Sequence, residues 1–149
     1  MPHWIRLNPQ ELNRVDKEHV NGVEITVGMA PDDLPARVRG SYDATLGRFV
    51  IEFRYPGKAE EKRVSRQENP NSEVSLLVGA HSGRLYEIHV NVRAIGVQAI
   101  ELQVLIPKVE GAIESLERAI PRQIRNYEVA KRVIDQNKNR LFATVASAI

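Results

Sequence analysis

By residue type and spacing, the groups in this chain best suited to chemistry are His81 beside Ser82, Glu87 two residues before His89, and the carboxylate pairs Asp32-Asp33 and Glu60-Glu61. Each has to meet the geometry its reaction needs. Adjacent residues in a tight turn point apart, so His81 and Ser82 do not form a base–nucleophile pair by themselves. The nucleophile elbow requires glycine two places before and two places after the serine. In "VGAHSGRL" those places hold Ala80 and Arg84. Glu87 and His89 share one face of a strand, with His81 across the turn. A structural metal site wants four well-placed ligands, and the remaining histidines, His3 and His19, are not spaced to help. Acid–base work by Asp32-Asp33 or Glu60-Glu61 needs a pKa raised by burial or by a close like charge. Asp32-Asp33, in a Pro-flanked loop, read as a helix N-cap or as solvated charges, and Glu60-Glu61 read as surface-loop charges. "PGKAEE" carries one glycine ahead of its lysine, not the glycine-rich cradle of a phosphate loop. The chain has no cysteine, which excludes disulfides, iron–sulfur clusters, Cys-based zinc and thiol nucleophiles. No catalytic residue, metal or cofactor is therefore assigned.

The elements that must position these side chains are legible in the hydropathy pattern. The chain has 149 residues and is 42% hydrophobic and 27% charged, so it has enough apolar content for a folded domain. "GVEITVGM" (22–29) alternates as a strand does, and "NPQELNRVDKEHV" (8–20) reads as a short helix or an irregular arm. "ARVRGSYDATLGRFVIEFRYPG" reads as a hairpin with arms 37–43 and 47–55. Phe49, Ile51, Phe53 and Tyr55 lie on one face, and "DATLG" forms a four- or five-residue loop. The polar stretch 56–73 holds one short strand near Val64. "EVSLLVGAHSGRLYEIHVNV" is a second hairpin. A two-residue Ser82-Gly83 turn would place Leu77 opposite Ile88 and Gly79 opposite Tyr86. "VQAIELQVLI" (97–106) is a further strand, with helix as its competitor.

The two hairpins in order are similar to a family of short uncharacterised bacterial domains. In that family a "YD" leads into an apolar strand, a polar stretch, an acidic strand and a "DGRLVGIEI" type strand. The counterparts here are "SYDATLGRFVIEF" (41–53) and "VSLLVGAHSGRLYEIHV" (74–90). The family's acidic residues before the second turn are replaced by His81 and Ser82. The resemblance implies a compact antiparallel sheet and no particular activity.

From Pro107 onward the period changes to helical. Pro121 kinks this helix or divides it in two, and Asn137-Lys138-Asn139 is a weak helical patch. Ile113, Ile120, Tyr127, Ile134, Leu141 and Ala148 stand seven apart, and Leu116, Ile124, Ala130, Asn137 and Val145 form a less regular second line. A seven-residue apolar period asks for a companion surface. That companion is the apolar face of the sheet, a second copy of the chain, or a different protein. The interaction residues are thus Ile113, Leu116, Ile120, Ile124, Tyr127, Ile134, Leu141 and Val145.

Charge points the same way. The formal net charge is +2, and residues 107–149 hold 8 basic against 5 acidic side chains. Arg118, Arg122, Arg125, Lys131, Arg132, Lys138 and Arg140 lie mostly off the stripe. They form either a solvated face, interleaved with Glu117, Glu128 and Asp135, or a phosphate-tracking one.

The expected fold is α+β: a β-rich domain over 1–106 with an antiparallel sheet of about five strands, then a helical region over 107–149 packed on the sheet or on a second copy. No apolar run opens the chain or approaches the about 20 residues needed to span a membrane. The expected protein is a cytoplasmic bacterial interaction module that self-associates and is not an enzyme. A nucleic-acid-associated regulator using the basic helical face is the alternative.

Overall fold

The computed structural model describes residues 4–8, 16–20, 23–27, 34–43, 45–56, 61–67, 73–91, 107, 111 and 126–147. In chain order the strands are β1 (Ile5–Arg6), β2 (Asp16–Val20), β3 (Val23–Val27), β4 (Arg37–Asp43), β5 (Arg48–Arg54), β6 (Arg63–Arg66), β7 (Val74–Gly79) and β8 (Leu85–Asn91). One helix, α1 (Tyr127–Ser147), follows. Six strands form an antiparallel sheet in the order β1-β4-β5-β8-β7-β6, while β2 and β3 pair separately. The α+β class agrees with the sequence reading, and the details differ. Residues 16–20, read as helix or arm, are strand; their partner is the 22–29 segment, which does not join the main sheet. The sheet takes its sixth strand from Ile5–Arg6, where the sequence reading placed no element. The expected strand over 97–106 lies outside the described residues. In place of two helices or one kinked helix, one C-terminal helix is described, with Pro107 and Gly111 also helical in backbone.

The first hairpin follows its alternation. Phe49, Ile51 and Phe53 point to one face and are fully buried. They stand opposite Tyr42, Gly40 and Val38 on β4. The core continues through Val90 and Ile88 on β8, then Val74, Leu76 and Val78 on β7. Helix α1 closes this face with Val129, Ala130, Val133, Ile134 and Leu141, each at most 2% exposed. Burying a side chain of this size contributes about 1.5–3 kcal/mol, so the helix is a structural cover of the sheet. It passes so low over β4 that a Cβ on Gly40 would lie 2.2 Å from the Leu141 carbonyl oxygen. Only a residue without a side chain fits there. The weak Asn137 patch lies within the running helix, where its Nδ2 donates to the Val133 carbonyl at 3.0 Å.

The second hairpin departs from its expected register. Leu76, not Leu77, stands opposite Ile88, and Leu77 faces Glu87. The turn is wider than two residues. The Gly79 amide donates to the Arg84 carbonyl (2.8 Å), and the Gly83 amide donates back to the Gly79 carbonyl (3.1 Å). Gly83 has φ 73°, as Gly47 has φ 61° in the first hairpin, and this left-handed backbone favours glycine at both places. The two connections, "DATLGR" and "GAHSGR", are therefore equivalent four-residue loops. After the second loop β8 carries one extra residue, Tyr86: Val78 pairs with Leu85 and Leu77 with Glu87. This bulge moves every later side chain of β8 one place along relative to β7.

Candidate functional site

The candidate site is built on the sheet face opposite α1. Three local structures define it: a pair of loops, a tie between α1 and the sheet, and the face itself.

The first is the pair of loops. In the β4–β5 loop the Asp43 carboxylate accepts from the amides of Thr45 (2.9 Å) and Leu46 (3.2 Å). This is a side-chain cap that short acidic residues make at turns. In the β7–β8 loop the equivalent residue is Gly79, which has no side chain. Glu61, from the segment leading into β6, occupies the place instead. Its Oε2 accepts from the amides of His81 (2.9 Å) and Ser82 (3.0 Å), the counterparts of Thr45 and Leu46. Its Oε1 accepts from the Ser82 hydroxyl and from the Tyr86 hydroxyl, the latter at 3.1 Å. A Cβ on Gly79 would lie 2.2 Å from Glu61 Oε1, so a side chain there has to displace the carboxylate. Burial pushes the Glu61 pKa up, but the Ser82 hydroxyl, the two amides and the Tyr86 hydroxyl together bring it down to about 2. A carboxylate held that acidic is a poor proton acceptor. Burial and the same carboxylate push the Tyr86 hydroxyl up. Glu61, read from sequence as a solvated loop charge, is thus the hub of the loop. Ser82 hydrogen-bonds to it and not to His81, which is exposed.

The second structure ties the start of α1 to the bulge. Asn126 is 1% exposed and precedes the helix, its carbonyl accepting the Ala130 amide at 3.1 Å. Its side chain serves the sheet: Oδ1 accepts from the Leu85 amide (3.0 Å), and Nδ2 donates to the Tyr55 hydroxyl (2.7 Å). The Tyr55 hydroxyl in turn donates to the Leu85 carbonyl (2.5 Å), and its ring meets Tyr86 edge-on, centroids 5.3 Å apart.

The third is the face itself, which divides into two rows. In the inner row Arg39, Glu52, Glu87 and Leu77 stand side by side on β4, β5, β8 and β7. Glu52 and Glu87 are directly opposed, and each is held by a cation on its far side. Arg39 Nη2 donates to Glu52 at 3.1 Å. Arg63 donates to Glu87, and His89 Nε2 meets the other Glu87 oxygen at 3.1 Å. Burial raises the Glu87 pKa, but the His89 and Arg63 contacts outweigh it and leave it lowered. Glu87 and His89 therefore share a face as the spacing implied, with Arg63 as the third member and His81 elsewhere. Among the described residues no group of His, Cys, Asp and Glu is arranged to hold a metal ion.

In the outer row Arg6, Arg37 and Arg54 stand in direct register on β1, β4 and β5. All three are exposed, and among the described residues none makes an ion pair with an acid. Between the rows lies Trp4, with the Arg39 and Arg54 guanidinium carbons 4.3 and 4.5 Å from its ring centroid. Arg39 Nε is shielded from solvent and has no hydrogen-bond acceptor. Nothing in the sequence singles out this row, because its members are 48 positions apart at the extremes (Arg6 to Arg54) and only the strand order joins them.

The residues picked from sequence for interaction fall into two groups. Ile134 and Leu141 are fully buried in the chain's own core, where they face the sheet. Ile113, Leu116, Ile120 and Ile124, and the side chains of Tyr127 and Val145, lie outside the described residues. Of the basic set, Lys138 and Arg140 are exposed on α1, Lys131 and Arg132 are half-buried, and Glu128 and Asp135 are exposed between them. Arg118, Arg122 and Arg125 lie outside the described residues. The described helix is not long and apolar enough to cross a membrane. No family model, curated protein or solved structure matches this chain.

Proposed function

We propose that this protein works by binding and not by catalysis. One observation carries the reading: of the side chains that spacing marked for acid–base or nucleophilic work, Glu61, Ser82, Glu87 and His89 are bonded within the fold. Glu61 caps a loop and is bonded by Ser82 and Tyr86. Glu87 is shared between Arg63 and His89. A general base has to be free to take a proton in the transition state, and a carboxylate with a pKa of about 2 gives little driving force for that. Self-association belongs to the same proposal through the stripe ahead of α1, at Ile113, Leu116, Ile120 and Ile124, since Ile134 and Leu141 are engaged within the chain.

The test compares the full chain with S82A, E61Q and H89Q on a panel of activated carboxylic and phosphoric esters. No turnover above buffer is expected, and the variants should differ in melting temperature alone. A turnover abolished by one of these substitutions in a folded protein would overturn the proposal. Multi-angle light scattering at micromolar concentration tests self-association separately: a mass above 16.8 kDa is expected, and a monomer at every concentration removes that component.

A further inference from the structure

We infer that the outer row, Arg6, Arg37 and Arg54 with Arg39 beside it, is a docking surface for the phosphate backbone of a single-stranded nucleic acid. The inference rests on the binding reading above and names the partner.

The row is costly to the fold. Like charges directly opposite one another on neighbouring strands destabilise a sheet. Here three arginines occupy one register line, Arg6 against Arg37 and Arg37 against Arg54. The adjacent line on the same face shows the ordinary solution, in which each charge has an opposite partner: Arg39 with Glu52, and Arg63 with Glu87. The outer row lacks such partners among the described residues, and no core contact requires its side chains, because all three are exposed. Among the described residues, four guanidiniums stand there against the carboxylate of Glu52. An external anion would relieve this repulsion, and a surface of one sign raises the local concentration of such an anion.

The chemistry of the row selects phosphate. A guanidinium is a planar fork of donors that matches a phosphate bidentately. Trp4 holds two of these forks, Arg39 and Arg54, by stacking, which reduces the ordering cost on binding. Neighbouring strands are about 4.8 Å apart, so the row is about 10 Å long. It suits a few successive phosphates of a flexible chain lying across the strands, as single strands do on other sheet surfaces. A lipid surface fits less well, because membrane binding adds apolar anchors to charge. The exposed large apolar side chain among the described residues, Leu46, sits in the loop at the opposite end of β4 and β5.

Trp4 is the only tryptophan, so intrinsic fluorescence reports on this surface directly. The full chain is titrated with a short oligouridylate, with the same sequence as a duplex, with inorganic phosphate and with oligoglutamate. A saturable change in Trp4 emission with oligouridylate is expected. Its log affinity should fall with log salt at a slope of about −2 to −3, from roughly 0.7 per phosphate neutralised on a single strand. R6Q, R37Q and R54Q should each reduce that slope by about 0.7. Each should keep or raise the melting temperature, because a repulsion is removed; loss of binding then cannot be attributed to unfolding. The inference is overturned if low-salt titration gives no change, or if the variants bind as the parent does. Equal competition by oligoglutamate or inorganic phosphate at matched charge overturns the nucleic-acid assignment, and tighter binding of the duplex overturns the single-strand one. A negative result here leaves the turnover and light-scattering tests of the broader reading untouched.

Discussion

Replacing Gly40 by alanine tests the packing of α1 on the sheet. In an ordinary strand this change is favourable by about 0.4–1 kcal/mol, because it restricts the unfolded chain. At Gly40 the added Cβ meets the Leu141 carbonyl oxygen at 2.2 Å, the Leu141 carbonyl carbon at 3.0 Å and Phe49 Cζ at 3.0 Å. The phenyl ring can give way, but the helix backbone can retreat only as a unit. Ordinary contact between carbon atoms is about 3.5 Å, so α1 has to rise by roughly 1 Å over β4. That lift loosens Val133, Ile134 and Leu141, which are fully buried. Overpacking of this kind costs about 1–3 kcal/mol. After the gain is subtracted the net loss is about 1–2 kcal/mol, or roughly 2–8 °C in melting temperature for a chain of this size. Gly111 supplies the control: its backbone is helical, and nothing lies within 4 Å of where a Cβ would stand. Alanine there should raise stability by up to about 1 kcal/mol. Urea denaturation of the two variants side by side decides the matter. A neutral or stabilising G40A, or the same sign at both positions, would refute the close approach of α1 to β4.

Three further outcomes follow from named contacts. The Glu61 pKa is depressed from 4.5 to about 2, so its contribution is fully present above pH 4.5 and is lost as pH falls toward 2. Urea midpoints measured across that window should fall more steeply for the parent than for E61Q, and equal slopes would contradict the capping role. L141A and I134A should each cost about 2–5 kcal/mol by emptying a core site, with a midpoint independent of protein concentration. A concentration-dependent midpoint would place these residues between chains. N126A strips the Leu85 amide of its acceptor and Tyr55 of its donor, so it should cost about 1–3 kcal/mol. A change below a few tenths in chemical denaturation would show that water replaces the amide.

Much of the fold is readable where a pattern is local. The alternation of Phe49, Ile51 and Phe53, the Asp43 and Gly47 ends of the first loop, and the short strand near Val64 are all found where period and turn chemistry put them. The second hairpin ends one place from its expected register: the wider turn shifts the pairing by two, the inserted Tyr86 takes one back, and the odd remainder inverts a period-2 reading. The β2 strand, "DKEHV", has no alternation to detect. The seven-residue stripe is plain in the sequence, but apolar spacing alone does not say what it faces, and at Ile134 and Leu141 the sheet supplies the companion. The candidate site is illegible for another reason. Glu61 acts on residues 20 and 21 positions away, Asn126 on one 41 away, and the arginine row exists only once β1 has been laid beside β4.

The capping of the two loops bears on how far each hairpin is portable. Residues 37–54 carry their own turn-stabilising carboxylate, so their loop brings its cap with it when the segment is moved. Residues 73–91 do not, because their turn is completed only when a different stretch of backbone delivers Glu61. A graft of residues 73–91 therefore has to bring the β6 segment with it to keep its turn capped.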